Sequence, residues 1–404
     1  MPVNTALGGT TIAQFIDDIL VTAPAGSGAG FDVNPFSANN NASLRTYTEG
    51  ISGSSSLGWT DPTNITNTIT TGTGIEVFVR GTRGLANPYL NWTTPNDVTI
   101  DYNGTLNSGT ISKTLSYTPS VGGATTADGF NLVGNPYASP INFDTTGWTK
   151  TNIENKFWCY NPNTSNYGIY DVVAQTGTNG ITKYIASGQA FFVRATSASA
   201  PSITFTENVK CKQIGNSYFK PSKSPSAFPM LRMTLIDDSA DYDEALILID
   251  SLNGTPQATD DRDAAKFFND ALNIYTVTAN KSNLAFNAIN IPSASDTINV
   301  SVWSYDSTNI STKHHKISFS EFESIDPSIN LYLLDNYLNV VTNIRNNNEY
   351  DFMITTDVNS YGNDRFKIIL NNTNTSLPTT FKKQNIVLYP NFGFGLIIWG
   401  VEKY

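Results

Sequence analysis

The 404-residue chain carries 24 basic and 34 acidic residues, a formal net charge of −10 that disfavours nonspecific attraction to nucleic acid or to anionic membranes. No stretch approaches the roughly 20 consecutive apolar residues that a membrane-spanning helix requires. Charged residues make up only 14% of the chain while aromatics reach 12%. With abundant Asn, Thr, Ser and Gly, this reads as all-β, because aromatic and β-branched side chains suit pleated, half-buried surfaces and the small polar residues suit turns.

In chain order, residues 11–20 are the best helix candidate, a short one. A strand is expected near 45–47 and another at 75–80. In the latter, Ile75, Val77 and Val79 share one face and Glu76 and Phe78 the other, the two-residue period of a strand with one face on a core. Residues 98–102 and 111–117 read as a hairpin closed across Asn103-Gly104, a favoured turn dipeptide. Strands at 130–133, 157–160, 184–194 and 203–205 follow, the first ending or bulging at Gly134 and Pro136. After a Pro/Ser/Lys-rich stretch, strands are expected at 230–236, 244–249, 272–275, 298–303, 316–319, 331–334, 349–355 and 365–370. Residues 263–268 are expected as a short helix or loop.

One segment occurs twice. Gly74-Ile75-Glu76-Val77-Phe78-Val79-Arg80 returns as Gly188-Gln189-Ala190-Phe191-Phe192-Val193-Arg194, 114 positions later. Duplication without duplicated chemistry marks a folding unit. The expected organisation is tandem antiparallel β-sandwich modules, jelly-roll or immunoglobulin-like. A first repeat unit covers 1–122, a second 123–215, a linker 216–228, a third sandwich 229–371, and residues 372–404 form a further linker and the degenerate start of another domain. The second unit has a strand ahead of Pro140-Ile141-Asn142-Phe143, for which the first has little room, so the first unit is expected to lack its opening strand. Met1-Pro2-Val3-Asn4 lacks the basic start and apolar core of a signal peptide, and the chain is expected to belong to a longer exported polypeptide.

Catalytic groups are sparse. His314 and His315 are the only histidines; neighbours on a strand point to opposite faces, so they suit neither one metal nor one triad and are expected exposed, near the end of an edge strand. Gly-x-Ser-x-Gly, His-Glu-x-x-His and a lysine-bearing phosphate loop are all absent from the sequence, and no catalytic residue is assigned. Two acidic clusters, Asp237, Asp238, Asp241 and Asp243, then Asp260, Asp261 and Asp263, could supply oxygens for a structural Ca²⁺, although neither has EF-hand spacing. They could also pair for glycoside hydrolysis; solvated loop acids are the plainer alternative. Trp59, Trp92, Trp148 and Tyr167 lie in loop-like, Asn/Thr-rich context and could stack on sugar rings or anchor loops in a core. Arg80 and Arg194 end the two repeats, and their duplication favours a structural role. Cys159 and Cys211 could form a disulfide in an exported protein, but Cys159 also reads as a buried free thiol.

At residues 129–144 the wording Gly-Phe-Asn-Leu-Val-Gly-Asn-Pro-Tyr-Ala-Ser-Pro-Ile-Asn-Phe-Asp, followed by Ile185-Ala186-Ser187-Gly188-Gln189-Ala190-Phe191-Phe192-Val193, resembles a module of large secreted Bacteroidetes proteins exported by the type IX secretion system. Tyr242-Asp243-Glu244-Ala245-Leu246-Ile247, Asp263-Ala264-Ala265-Lys266-Phe267-Phe268 and Asn363-Asp364-Arg365-Phe366 fit the same context. Tyr389-Pro390-Asn391, after Ile386-Val387-Leu388, resembles the start of a type A sorting domain, although Phe392 stands where proline is expected and only a short tail follows. The resemblance implies an extracellular or outer-surface location, the type IX machinery as a partner of the intact protein, and surface glycans or proteins as further partners. It also implies O-glycosylation at Asp144-Thr145-Thr146, Asp238-Ser239-Ala240 and Asp296-Thr297-Ile298. The expected function is a non-catalytic structural or adhesion module. The alternative is a glycan-binding accessory region of a larger polysaccharide-degrading enzyme. No cofactor other than structural calcium, no nucleic acid and no membrane span are expected.

Overall fold

The computed structural model describes residues 1–4, 9–35, 40–50, 58–84, 95–120, 128–162, 164–212, 226–250, 258–292, 294–306 and 309–372. Its regular structure is all-β, with helical geometry among the described residues confined to single 3₁₀ turns. The helix expected at 11–20 shrinks to one such turn, Ile12–Phe15, whose N-cap Thr11 makes no side-chain capping bond. Ile12, Phe15 and Ile19 are nevertheless buried together. The apolar spacing served a core, and the core did not need a helix.

The two repeat units have the same local topology. In the first, Leu44–Tyr47 lies between Trp59–Thr60 and Ile75–Val77; in the second, Lys156–Asn161 lies between Asn166–Asp171 and Ala190–Arg194. A second pair also corresponds: Gly9–Thr11 with Thr68–Thr70, and Ile141–Asn142 with Tyr184–Ile185. The strand expected at 184–194 is thus two strands, broken where Gly188 takes a φ of +70°, a left-handed conformation open to glycine.

Hydrogen bonding runs across residue 122. Phe130–Gly134 pairs antiparallel with Ala190–Arg194. Its other edge meets the first unit, where Thr73 bridges Val133, Gly74 N donates to Leu132 O at 3.2 Å and Gly134 N donates to Gly72 O at 3.0 Å. One strand therefore separates the two copies of the repeated segment. The approach is close enough to require glycine, since a Cβ on Gly74 would sit 2.6 Å from Leu132 Cγ and 2.9 Å from Val133 O. On the opposite layer, Ile111–Thr114 pairs with Ser202–Phe205, which also pairs with Trp148–Thr151. This corrects the hairpin expected between 98–102 and 111–117. Residues 98–102 form no strand; Val98, Ile100 and Tyr102 instead pack on the first unit's core, and the turn at Asn103-Gly104 leads into Thr105–Leu106, which pairs with Val3–Asn4.

The third region carries the longest strands. Its main sheet runs Val340–Asn343, Ile329–Asp335, Gly362–Asn372, Ser295–Asp306, Leu272–Val277, Asn283–Ile289, Tyr242–Ile249, Met230–Asp237, His314–Ser320, Glu349–Met353. Neighbours are antiparallel except Tyr242–Ile249 with Asn283–Ile289, which are parallel. Residues 263–268 hold no helix; Ala264–Ala265 pairs with Asn283–Ile289. His314–Ser320 is internal to the sheet, not an edge. His314 is exposed and His315 buried, as opposite faces demand, but the exposure expected for both holds only for the first.

This sheet is covered on both faces. In Tyr242–Ile249, Ala245, Ile247 and Ile249 enter the third region's own core, while Leu246 and Leu248 turn to a second cluster shared with Phe130, Trp158, Ile169 and Phe192 of the second unit. Strands covered on both faces read as unbroken apolar runs, and Ala245-Leu246-Ile247-Leu248-Ile249 is one. Phe267 seals the layer, with ring centroids 4.6 Å from Phe130, 5.2 Å from Phe192, 5.3 Å from Tyr167 and 6.0 Å from Trp158.

Candidate functional site

The aromatic candidates do not form one surface. Trp59 stands edge-on to Tyr47 at 5.3 Å and to Phe192 at 6.0 Å, and Tyr167 packs on Tyr160 and Phe267. Both therefore flank the shared cluster between the second and third regions. Trp148 is on the other layer, its Nε1 donating to Asn142 O at 2.8 Å and its ring 4.9 Å from Phe205. Trp92 lies outside the described residues, as do Tyr389, Pro390 and Asn391.

The acidic residues do not converge either. Asp243 is fully buried: its Oδ2 accepts from Lys266 Nζ at 2.5 Å and Ile274 N at 2.7 Å, and its Oδ1 from Asn179 Nδ2 at 2.8 Å and Asn269 Nδ2 at 3.0 Å. Such saturation leaves no lone pair free for a metal ion. Asp263 is also buried, with Oδ1 accepting from Ala288 N and Oδ2 from Asp260 N. Burial pushes its carboxyl up to about 7, against those backbone donors. Asp237 Oδ1 caps its own turn by accepting from Ser239 N and Asp241 N, and Asp260 Oδ1 does the same for Arg262 N. Asp238, Asp241 and Asp261 are exposed; Asp238 lies 3.4 Å from His314 Nδ1 and Asp261 gives its carbonyl to Lys156 Nζ at 2.8 Å. Among the described residues no three His, Cys, Asp or Glu side chains gather where they could hold a metal.

These groups tie layers together instead. Lys266 and Asp243 belong to two separate stretches singled out by the resemblance, and they meet as a buried ion pair joined to Asn179 of the second unit. Trp158 Nε1 donates to Ala265 O at 2.9 Å, and Arg232 reaches both Glu244 at 2.9 Å and the Gly177 carbonyl at 3.0 Å. A third singled-out stretch holds Arg365, buried on Asp335 at 2.9 Å. Cys159 and Cys211 are both free thiols, and Cys159 sits in the second unit's core, where burial pushes it up to about 12.

A concave site does exist, and the sequence pointed to only one of its walls. An open cleft of about 580 Å³ is lined by Phe143, Asp144, Thr145, Thr146, Trp148, Lys150, Asn155 and Val172. Lys150 Nζ donates to Phe143 O at 3.2 Å and Asn155 Oδ1 at 3.4 Å, and lies 3.8 Å from the Phe143 ring centroid. Burial pulls its amine down to about 8 while the Asp144 carboxylate pushes it back up. Asp144 Oδ2 accepts from the Tyr170 hydroxyl at 3.3 Å. The alternation along Trp148–Thr151 puts Trp148 and Lys150 on the same, inward-leaning side, a pairing readable from sequence once that strand is assigned.

No helix of the described residues is long and apolar enough to cross a membrane. Residues 16–370 match the sequence profile of a family described as Domain of unknown function (DUF8693). No curated protein and no solved structure matches the chain.

Proposed function

The chain belongs to that family, which is defined by shared sequence, and from its packing we propose that it is a non-catalytic structural and adhesion unit of an extracellular surface protein. The observation that carries this reading is the apolar cluster shared by the second and third regions, around Trp158, Phe192, Phe267 and Leu246. The buried charged side chains Asp243, Lys266, Asp335 and Arg365 are committed to ion pairs. Such construction makes a stiff spacer, in which relative motion of the regions would expose apolar surface. Export through the type IX machinery and display at the outer surface are part of the proposal and rest on the resemblance.

The purified chain should turn over no glycoside, ester or peptide substrate, and should unfold in one cooperative calorimetric transition that Phe267→Ala lowers and splits. Saturable turnover, or separate transitions in the unaltered protein, would overturn the reading. Protease treatment of intact cells should remove the protein from the surface; its protection inside them would overturn the location.

A further inference from the structure

We propose that the cleft beside Trp148 binds an acidic oligosaccharide, Lys150 taking a sugar carboxylate and Trp148 contributing an apolar wall against a pyranose ring. The inference rests on the adhesion reading above and deepens it by naming a ligand class. The lining is of two kinds. Trp148 and Val172 form an apolar wall above the fully buried Phe143, while Thr145, Thr146, Asn155 and Asp144 surround it with hydroxyl, amide and carboxylate groups. A ring with C–H faces and hydroxyl edges needs both at once. Lys150 is the one cation among the lining residues, enough for a carboxylate singly charged at neutral pH; a phosphate monoester would bring nearly twice that charge beside Asp144.

Lys150 is also prepared for the task. Its ammonium is held by Phe143 O and Asn155 Oδ1 over an aromatic face, so little side-chain entropy remains to be lost on binding. Partial burial strengthens a charge-assisted hydrogen bond relative to one made by an exposed lysine. The groups facing it are Asp144 from the preceding turn and, through Asp144, Tyr170 from Asn166–Asp171. With the amine drawn down to about 8, a bound carboxylate would hold the proton on Lys150, and affinity should fall as pH rises through that value.

The test is calorimetric titration of the full chain with a galacturonic acid trisaccharide and, in parallel, the neutral galactose trisaccharide. The acidic sugar should bind at least about tenfold more tightly than the neutral one, and Lys150→Met should remove that difference without lowering the melting temperature. Thr146→Trp, an exposed lip position whose change leaves the Trp148–Phe205 packing alone, should block both sugars. No binding of the acidic trisaccharide, equal binding of the two, or full binding by Lys150→Met or Thr146→Trp would overturn the proposal. Any of those results leaves the non-catalytic reading intact, since that reading is tested by turnover and by Phe267→Ala.

Discussion

The two copies of the repeated segment share four of seven residues, Gly and Phe-Val-Arg, and have opposite surroundings. Phe78, in the first, is 55% exposed with Arg80 over its ring at 4.8 Å; Phe192, its counterpart, is 4% exposed and meets Tyr47, Phe130 and Phe267. Arg80 donates to the Ser43 hydroxyl at 2.7 Å, whereas Arg194 pairs with Glu154 at 2.6 Å and donates to Asp128 O at 2.9 Å. Even the shared glycine answers two needs, close backbone approach at Gly74 and a left-handed φ at Gly188. Duplication kept the strand topology; the face that each copy buries was set by what came to lie against it. Among the described residues, only the second copy joins the cluster that the third region covers.

Truncating the equivalent phenylalanines should break that comparison most visibly. Phe192→Ala removes a ring from the centre of the interlayer cluster and should cost about 3–5 kcal/mol in urea unfolding. Phe78→Ala should stay within about 0.5 kcal/mol, as for an exposed side chain. Equal losses would mean that the two copies are equally covered, which the packing forbids.

The next effect is a pH dependence confined to the second copy's partner. Asp263 immediately precedes Ala264, Ala265 and Phe267, which form part of the surface under Phe192. Its native carboxyl titrates near 7 because burial opposes the charge, against an ordinary value of 3.8. Below the ordinary value both folded and unfolded states carry the proton and the group is neutral in its effect. Between the two values only the unfolded state has released it, so stability falls as pH rises, and above about 7 the full penalty remains. Between about pH 5 and pH 8 the unfolding midpoint of the wild type should therefore fall further, or rise less, than that of Asp263→Asn. Parallel profiles would remove Asp263 as the cause.

Much of the third region was legible because its strands alternate or run apolar without interruption. Each expected strand from 230–236 to 365–370 coincides with an observed one, with ends displaced by a few residues. Asn283–Ile289 escaped notice because Asn-Leu-Ala-Phe-Asn-Ala-Ile is rich in residues depleted from strands, and its place is set by parallel pairing with Tyr242–Ile249. The strand sharing between repeat units left no mark in the side chains, since backbone groups make those bonds and two glycines, Gly74 and Gly134, permit them. The interlayer contact did leave one, in the apolar run at 245–249, which a reading in terms of one-faced sandwich strands passes over. Acidic side chains were the poorest guide: Asp243 and Asp263 lie in clusters that look solvated, and only tertiary partners distinguish a buried carboxylate from a loop acid. Lys150 carried no signal by itself, because a lone lysine on a short strand is ordinarily solvent-facing.

Substitution at the two glycines separates them by mechanism. Gly74→Ala would place a methyl group 2.9 Å from the Val133 carbonyl oxygen and closer still to the Leu132 side chain. The side chain can move but the strand backbone cannot, so the cost should lie toward the upper end of the ~1–3 kcal/mol typical of overpacking. Gly188→Ala meets open space, with no atom within 4 Å of the added carbon, and pays only for an L-residue at a φ of +70°, about 1–2 kcal/mol. Asparagine tolerates that conformation through its short polar side chain, so Gly188→Asn should recover part of the loss, whereas Gly74→Asn should be worse than Gly74→Ala. The same ordering at both positions would mean that one physical need, and not two, maintains the repeated glycine.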